Sequence, residues 1–121
     1  MEKHIAIPVK NLEESEEFYR DYFGFQGFEK WERPEMNLKG LWAKDDEGFI
    51  LELIYHPDNF KQETSVGVLP HLGFEVENLE EKIKKLEGEV EVIKPISKGI
   101  SVKRIVFIKD PNGLAIELYE R

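Results

Sequence analysis

The hydrophobic positions of this chain follow two rhythms, and both rhythms occur twice in the same order. Residues 3–9 alternate and are rich in β-formers, which predicts a strand. Asn11 then stands where a helix N-cap belongs. Leu12, Phe18, Tyr19, Tyr22 and Phe23 share one face at helical spacing, so a helix is predicted from Leu12 to Phe23, ended by Gly24. Strands are predicted at 27–33, 38–44 and 48–56, with Asp45-Asp46-Glu47-Gly48 as the turn between the last two. The second half repeats this order. A strand at 69–77 leads to Asn78 as cap, then to a helix at 79–87 with Leu79, Ile83 and Leu86 on one face and Gly88 as its stop. Strands at 89–94, 102–109 and 113–119 follow. Asp110-Pro111-Asn112-Gly113 joins the last two, with proline at the second turn position and glycine where positive φ is needed. The predicted fold class is therefore α+β. Residues 1–121 form a single domain of two tandem βαβββ modules, 1–56 and 69–121, joined by a linker at 57–68.

The repeat is also visible residue by residue. His4, Val9, Asn11, Leu12, Glu13 and Glu14 return as His71, Val76, Asn78, Leu79, Glu80 and Glu81, at a constant offset of 67. Gly48-Phe-Ile-Leu-Glu52-Leu53 returns as Gly113-Leu-Ala-Ile-Glu117-Leu118, at an offset of 65. A period of half the chain indicates a duplicated fold and not a solenoid, which needs at least three units. Each half thus opens its first strand with a histidine and carries a glutamate in the middle of its last. Two His/Glu pairs related by a duplication can make a four-ligand metal site on a pseudo-twofold axis.

Both glutamates lie in apolar runs, Phe49-Ile-Leu-Glu52-Leu-Ile-Tyr55 and Leu114-Ala-Ile-Glu117-Leu-Tyr119. Such strands are expected to be buried on both faces. A dry, unpaired carboxylate there would cost several kcal/mol, which a metal ion or a buried cation would remove. Taken singly, each residue has an ordinary explanation: a histidine near a chain end, a hydrogen-bonded core histidine, a glutamate on the wet face of a sheet. The pairing of the four at equivalent places in two modules, with separations of 48 and 46 residues, favours the metal reading. His56 has no histidine counterpart, since Arg121 holds the equivalent place, and it is expected to be a turn or rim residue.

Composition narrows the chemistry. The chain has no cysteine, so any metal must be held by imidazole and carboxylate. A net charge of −8 argues against a nucleic-acid partner, whose affinity comes largely from clustered Lys and Arg. No apolar run approaches the roughly 18 residues of a membrane span, and the start of the chain lacks the apolar stretch of a signal peptide. A soluble, cytoplasmic protein with no membrane partner is expected.

Three segments resemble the vicinal-oxygen-chelate superfamily, which includes glyoxalase I, bleomycin-resistance proteins and extradiol dioxygenases. The opening from His4 through Phe18-Tyr19 to Gly24-Phe25 is similar to the family's first strand and helix. Pro70-His71-Leu-Gly-Phe-Glu-Val76 is similar to the start of its second module. Phe107-Ile-Lys-Asp110-Pro111-Asn112-Gly113-Leu-Ala-Ile-Glu117-Leu118 resembles its terminal hairpin. The resemblance covers the full chain and implies paired βαβββ modules forming a half-open barrel around a metal.

Carried over residue by residue, it implies His4, Glu52, His71 and Glu117 as ligands, the His/Glu/His/Glu set of bacterial glyoxalase I. The metal would be Ni, Co, Zn or Mn, all of which accept mixed N/O ligation. The implied activity is a metal-dependent lyase or isomerase acting on a hemithioacetal or related α-hydroxycarbonyl substrate, through a metal-stabilised enediolate. Glu117 is expected to be the base, with Glu52 a ligand and second acid/base. Trp42, Phe107 and Ile105 are candidates for excluding water. The resemblance also implies a homodimer with sites between subunits. Pro8 and His56 stand where glyoxalase I has an Arg and an Asn that bind glutathione, and neither reproduces an Arg–carboxylate fork. A different thiol adduct, or a small hydroxycarbonyl compound, fits at least as well. The alternatives are a methylmalonyl-CoA epimerase-like enzyme, for which Lys98, Lys103 and Arg104 could meet the CoA phosphates, a dioxygenase, and a small-molecule binding or resistance protein.

Overall fold

The computed structural model describes residues 3–58 and 71–121, and the chain divides into two compact units, Met1–Lys61 and Gln62–Arg121. The expected linker at 57–68 lies largely outside the described residues. The first unit contains β1 (His4–Pro8), α1 (Leu12–Phe23), β2 (Gln26–Arg33), a 3₁₀ turn at Pro34–Met36, β3 (Leu38–Lys44) and β4 (Ile50–Tyr55). The second contains β5 (His71–Glu75), α2 (Leu79–Leu86), β6 (Val92–Lys98), β7 (Arg104–Lys109) and β8 (Ala115–Glu120). The four-stranded sheets run β1-β4-β3-β2 and β5-β8-β7-β6. In each, the first strand pairs in parallel with the last, and the other pairs are antiparallel. The tandem βαβββ order is as expected.

Local chemistry accounts for the elements. The side chains of Asn11 and Asn78 accept the N–H groups of Glu14 and Glu81, each at 3.0 Å, and so cap α1 and α2. Gly24 closes α1 in the left-handed region at φ 71°. The carboxylates of Asp45 and Asp110 each accept two backbone N–H groups in the equivalent hairpin turns. Several boundaries differ by one or two residues, and one by more: the strand expected at 89–94 lies at Val92–Lys98. β6 accommodates Pro95 because it is an edge strand, where a missing N–H costs little, and the pairing shifts between Lys94 and Ser97.

Each sheet buries one face under its helix. In the first unit α1 packs on β3 and β4 and places Ser15, Phe18 and Tyr19 in the interior with Leu41, Leu51, Leu53 and Phe25. Phe25 meets Tyr19 and Phe49 with ring centroids 5.9 and 6.0 Å apart. In the second unit Leu79 and Leu86 are buried with Val106, Ile108, Ile116 and Leu118. Successive strand residues alternate in direction, so Glu52 between Leu51 and Leu53 turns to the other face, as does Glu117 between Ile116 and Leu118. These faces are not dry. Both glutamates are partly exposed, which corrects the expectation of burial. At Gly40 a Cβ would lie 2.6 Å from the Leu53 carbonyl and from the Trp31 indole, so only glycine lets that ring cross β3.

The second unit also carries a lock that the sequence did not announce. The Arg104 guanidinium donates to both oxygens of Glu120, at 2.7 and 2.9 Å, and also forks onto Glu80 of α2. Glu120 in turn accepts the Leu79 N–H at 2.9 Å, tying the last strand to the start of the helix. The hydrogen bonds from Arg104, then that from Leu79, hold the Glu120 carboxyl down to about 2 against the opposing effect of burial. A depressed folded-state value means that this group stabilises the fold above its ordinary 4.5 and loses that contribution as pH falls toward 2. The stability gap between wild type and Glu120→Gln, measured as urea midpoints, is expected to be full at pH 7 and to shrink through that window. A gap independent of pH would contradict the lock.

Candidate metal centre

Parallel pairing builds each half of the site. In β1 and β4 the register sets His4 opposite Ile50 and Ala6 opposite Glu52, so His4 and Glu52 are diagonal neighbours on one face. His4 Nε2 lies 3.6 Å from Glu52 Oε1. Trp42 of β3 is directly across from Glu52, and its ring stands edge-on to the His4 imidazole at 4.7 Å. The second module repeats the arrangement. His71 is opposite Ala115 and Gly73 opposite Glu117, and His71 Nε2 lies 3.4 Å from Glu117 Oε2. Phe107, the repeat equivalent of Trp42, is across from Glu117 and edge-on to His71 at 5.3 Å. Ile105 lies two residues from Phe107 and shares its face.

These spacings exceed an N–H···O hydrogen bond of about 2.7–3.2 Å. They are close to the roughly 3.0–3.4 Å that separates two donors sharing a metal at ~2.1 Å. One imidazole nitrogen and one carboxylate oxygen form a donor pair suited to a borderline divalent ion. The side chains of His4 and Glu52 are 45% and 15% exposed, and those of His71 and Glu117 30% and 22%, so each pair is open to a ligand. Among the described residues no group of three or more His, Cys, Asp or Glu is placed to hold a metal ion. The two expected pairs are thus brought together as pairs, and each module presents two donors of the expected four.

The other candidates are placed as follows. His56 accepts the Asp58 N–H through Nδ1 at 3.1 Å, as befits a turn residue. Pro8 ends β1 opposite Ile54. Arg104 is committed to Glu80 and Glu120 and is not free for a CoA phosphate. Lys44 was not singled out from the sequence. It lines a hollow of about 360 Å³ with Gly27, Glu29, Trp42, Ala43 and Ile50, and the Trp42 ring among these also meets His4. The signal was present in the 65-residue offset, which aligns Lys44 with Lys109 and Gln26 with Glu91.

Comparison with known proteins agrees with this architecture. Residues 3–118 match the glyoxalase/bleomycin resistance protein/dioxygenase superfamily. The chain is 31% identical to a mitochondrial methylmalonyl-CoA epimerase of Dictyostelium discoideum, covering 98% of this chain and 76% of that protein. It is 32% identical to a lactoylglutathione lyase of Schizosaccharomyces pombe over 95% of this chain, which spans only 45% of that enzyme. A crystal structure of a glyoxalase family protein from Enterococcus faecalis superposes with a TM-score of 0.82 at 30% identity, covering 97% of this chain and 94% of that one. The chain belongs to the glyoxalase/bleomycin resistance/dioxygenase superfamily, whose members among its relatives include enzymes. Among the described residues no helix is long and apolar enough to cross a membrane.

Proposed function

We propose that the protein is a metal-dependent lyase or isomerase of the glyoxalase type, with His4, Glu52, His71 and Glu117 as ligands of one divalent ion. The substrate in this reading is a hemithioacetal or a related α-hydroxycarbonyl compound. The observation that carries it is the duplicated half-site: two imidazole–carboxylate pairs, at 3.6 and 3.4 Å, each flanked by an aromatic ring at the same repeat position. A bound divalent ion supplies the Lewis acidity that makes the proton beside the substrate carbonyl removable. Glu117 takes that proton on a carboxylate oxygen and returns it to the neighbouring carbon, and Glu52 serves as second acid/base. Trp42, Phe107 and Ile105 keep water from the reacting carbons.

A homodimer completes the reading, with His4 and Glu52 from one chain and His71 and Glu117 from the other. Such pairing would also cover open sheet edges. The test is metal content by plasma mass spectrometry. About one divalent ion per chain is expected in the purified protein, lost in His4→Ala. No metal, and no uptake when Ni²⁺, Co²⁺, Zn²⁺ or Mn²⁺ is added, would end this reading.

The Dictyostelium relative favours one second reading, an epimerase using the same proton chemistry on a thioester. With Arg104 held by two glutamates, Lys98 and Lys103 remain as contacts for CoA phosphates. Side-by-side assays of methylmalonyl-CoA and methylglyoxal hemithioacetals separate the two.

A further inference from the structure

The duplication provides an internal control. On the face of the first sheet that bears the His/Glu pair, His4, Ile50, Lys44 and Gln26 form one cross-strand row, and Ala6, Glu52, Trp42 and Glu29 the next. In the second module His71, Ala115 and Lys109 form the row equivalent to the first, and Gly73, Glu117 and Phe107 the row equivalent to the second. Lys109 is neutralised: its Nζ lies 3.4 Å from the Glu91 carboxylate, and its N–H bonds to the Glu91 carbonyl at 2.9 Å. Lys44 has the neutral Gln26 in the place of Glu91, and its ammonium has no ion-pair partner among the described residues. One acid-to-amide difference between the repeats thus leaves a cation uncompensated in a chain of net charge −8.

Lys44 lines the hollow of about 360 Å³ together with Trp42 and Ile50. The Trp42 indole touches His4, so a group held in the hollow lies next to the His4/Glu52 pair. Glu29, across from Trp42 on β2, is the one carboxylate among the lining residues, and it repels an anion placed toward β2. An anion therefore belongs at the Lys44 end, with the carbon arm that carries it along Trp42 and Ile50. A lone ammonium beside an apolar wall attracts such a group both electrostatically and by covering apolar surface.

We infer that Lys44 and the hollow beside it form an anion-selecting subsite, which takes a carboxylate at the end of a short apolar or aromatic arm. In the catalytic reading above, on which this assignment to substrate rests, the arm belongs to the thiol or carbonyl part of the substrate. Neither Pro8 nor His56 then needs to supply the missing anion contact.

The test titrates phenylacetate and its neutral counterpart 2-phenylethanol into the protein, followed by backbone amide chemical shifts. It is run on protein as purified and again after EDTA treatment. Phenylacetate is expected to bind about fivefold tighter, the scale of one exposed ion pair, with shifts at Lys44 and Trp42 and with the same preference after EDTA. Lys44→Ala and Gln26→Glu should each abolish the preference, and Lys44→Arg should keep it. Gln26→Glu recreates a pair that the second module already holds, so its fold is safe. Equal affinities, no binding of phenylacetate, a preference that survives Lys44→Ala, or one that vanishes with EDTA would each overturn the assignment. Because the EDTA-treated arm needs no metal, its failure is distinguishable from a failure of the metal-content test.

Discussion

Glu117→Gln protein is expected to retain most of its metal while its turnover falls about 10²- to 10⁴-fold, the usual worth of a positioned general base. Glutamine keeps the length of the side chain and one oxygen that can still ligate, but it cannot accept a proton at neutral pH. The change is isosteric at a partly exposed position of β8, between the buried Ile116 and Leu118, so the strand and its register with β5 should persist. Glu52→Gln provides the comparison, since in the proposed mechanism that residue is chiefly a ligand. The measurements are kcat on the best hemithioacetal substrate and metal content of the same samples. An unchanged rate would remove Glu117 as the base. Loss of metal in parallel with rate would leave it a ligand only.

Phe25→Ala is expected to destabilise the protein by about 3–5 kcal/mol, the range for removing a fully buried aromatic ring. Phe25 is wholly buried and lies between Tyr19 of α1 and Phe49 at the entry to β4. Its loss opens a cavity that two bulky rings cannot close without leaving their own packing. Against a typical total of about 5–15 kcal/mol, this is a large fraction. The chain's two tryptophans, Trp31 and Trp42, both lie in the first sheet, so their fluorescence reports unfolding of that module. Urea denaturation followed this way should show the loss. A change under about 1 kcal/mol would mean that the site repacks.

Much of the architecture was legible because the two repeats place like residues in like surroundings. Asn11 and Asn78 were expected as caps and both accept the N–H three residues on. Gly113 was expected at positive φ and has φ 88°. The apolar runs around Glu52 and Glu117 predicted strands correctly but misjudged their second face, because a run of apolar residues does not say what covers each face. The strand expected at 89–94 runs on to Lys98 because a proline, here Pro95, is tolerated at a sheet edge, and edge position is a property of the sheet. The Arg104–Glu80–Glu120 lock joins residues of a helix and two strands, and no local pattern marks such a meeting.

By itself, the sequence determined the order of elements, their caps and turns, the duplication, and the histidine on the first strand and the mid-strand glutamate on the last strand of each module. Those features rest on neighbours in the chain or on a repeat that can be read directly. The tertiary structure alone decided the register of β1 on β4 and of β5 on β8. A slip of one residue would turn every side chain to the opposite face. That register brings His4 to Glu52 and His71 to Glu117, and with the adjoining hairpins it stands Trp42 and Phe107 against the imidazoles, while the pairing of the outer strands neutralises Lys109 and sets Gln26 beside Lys44. Ladders between strands some 46 residues apart are chosen by packing of the whole sheet under its helix, which no stretch of the chain encodes alone.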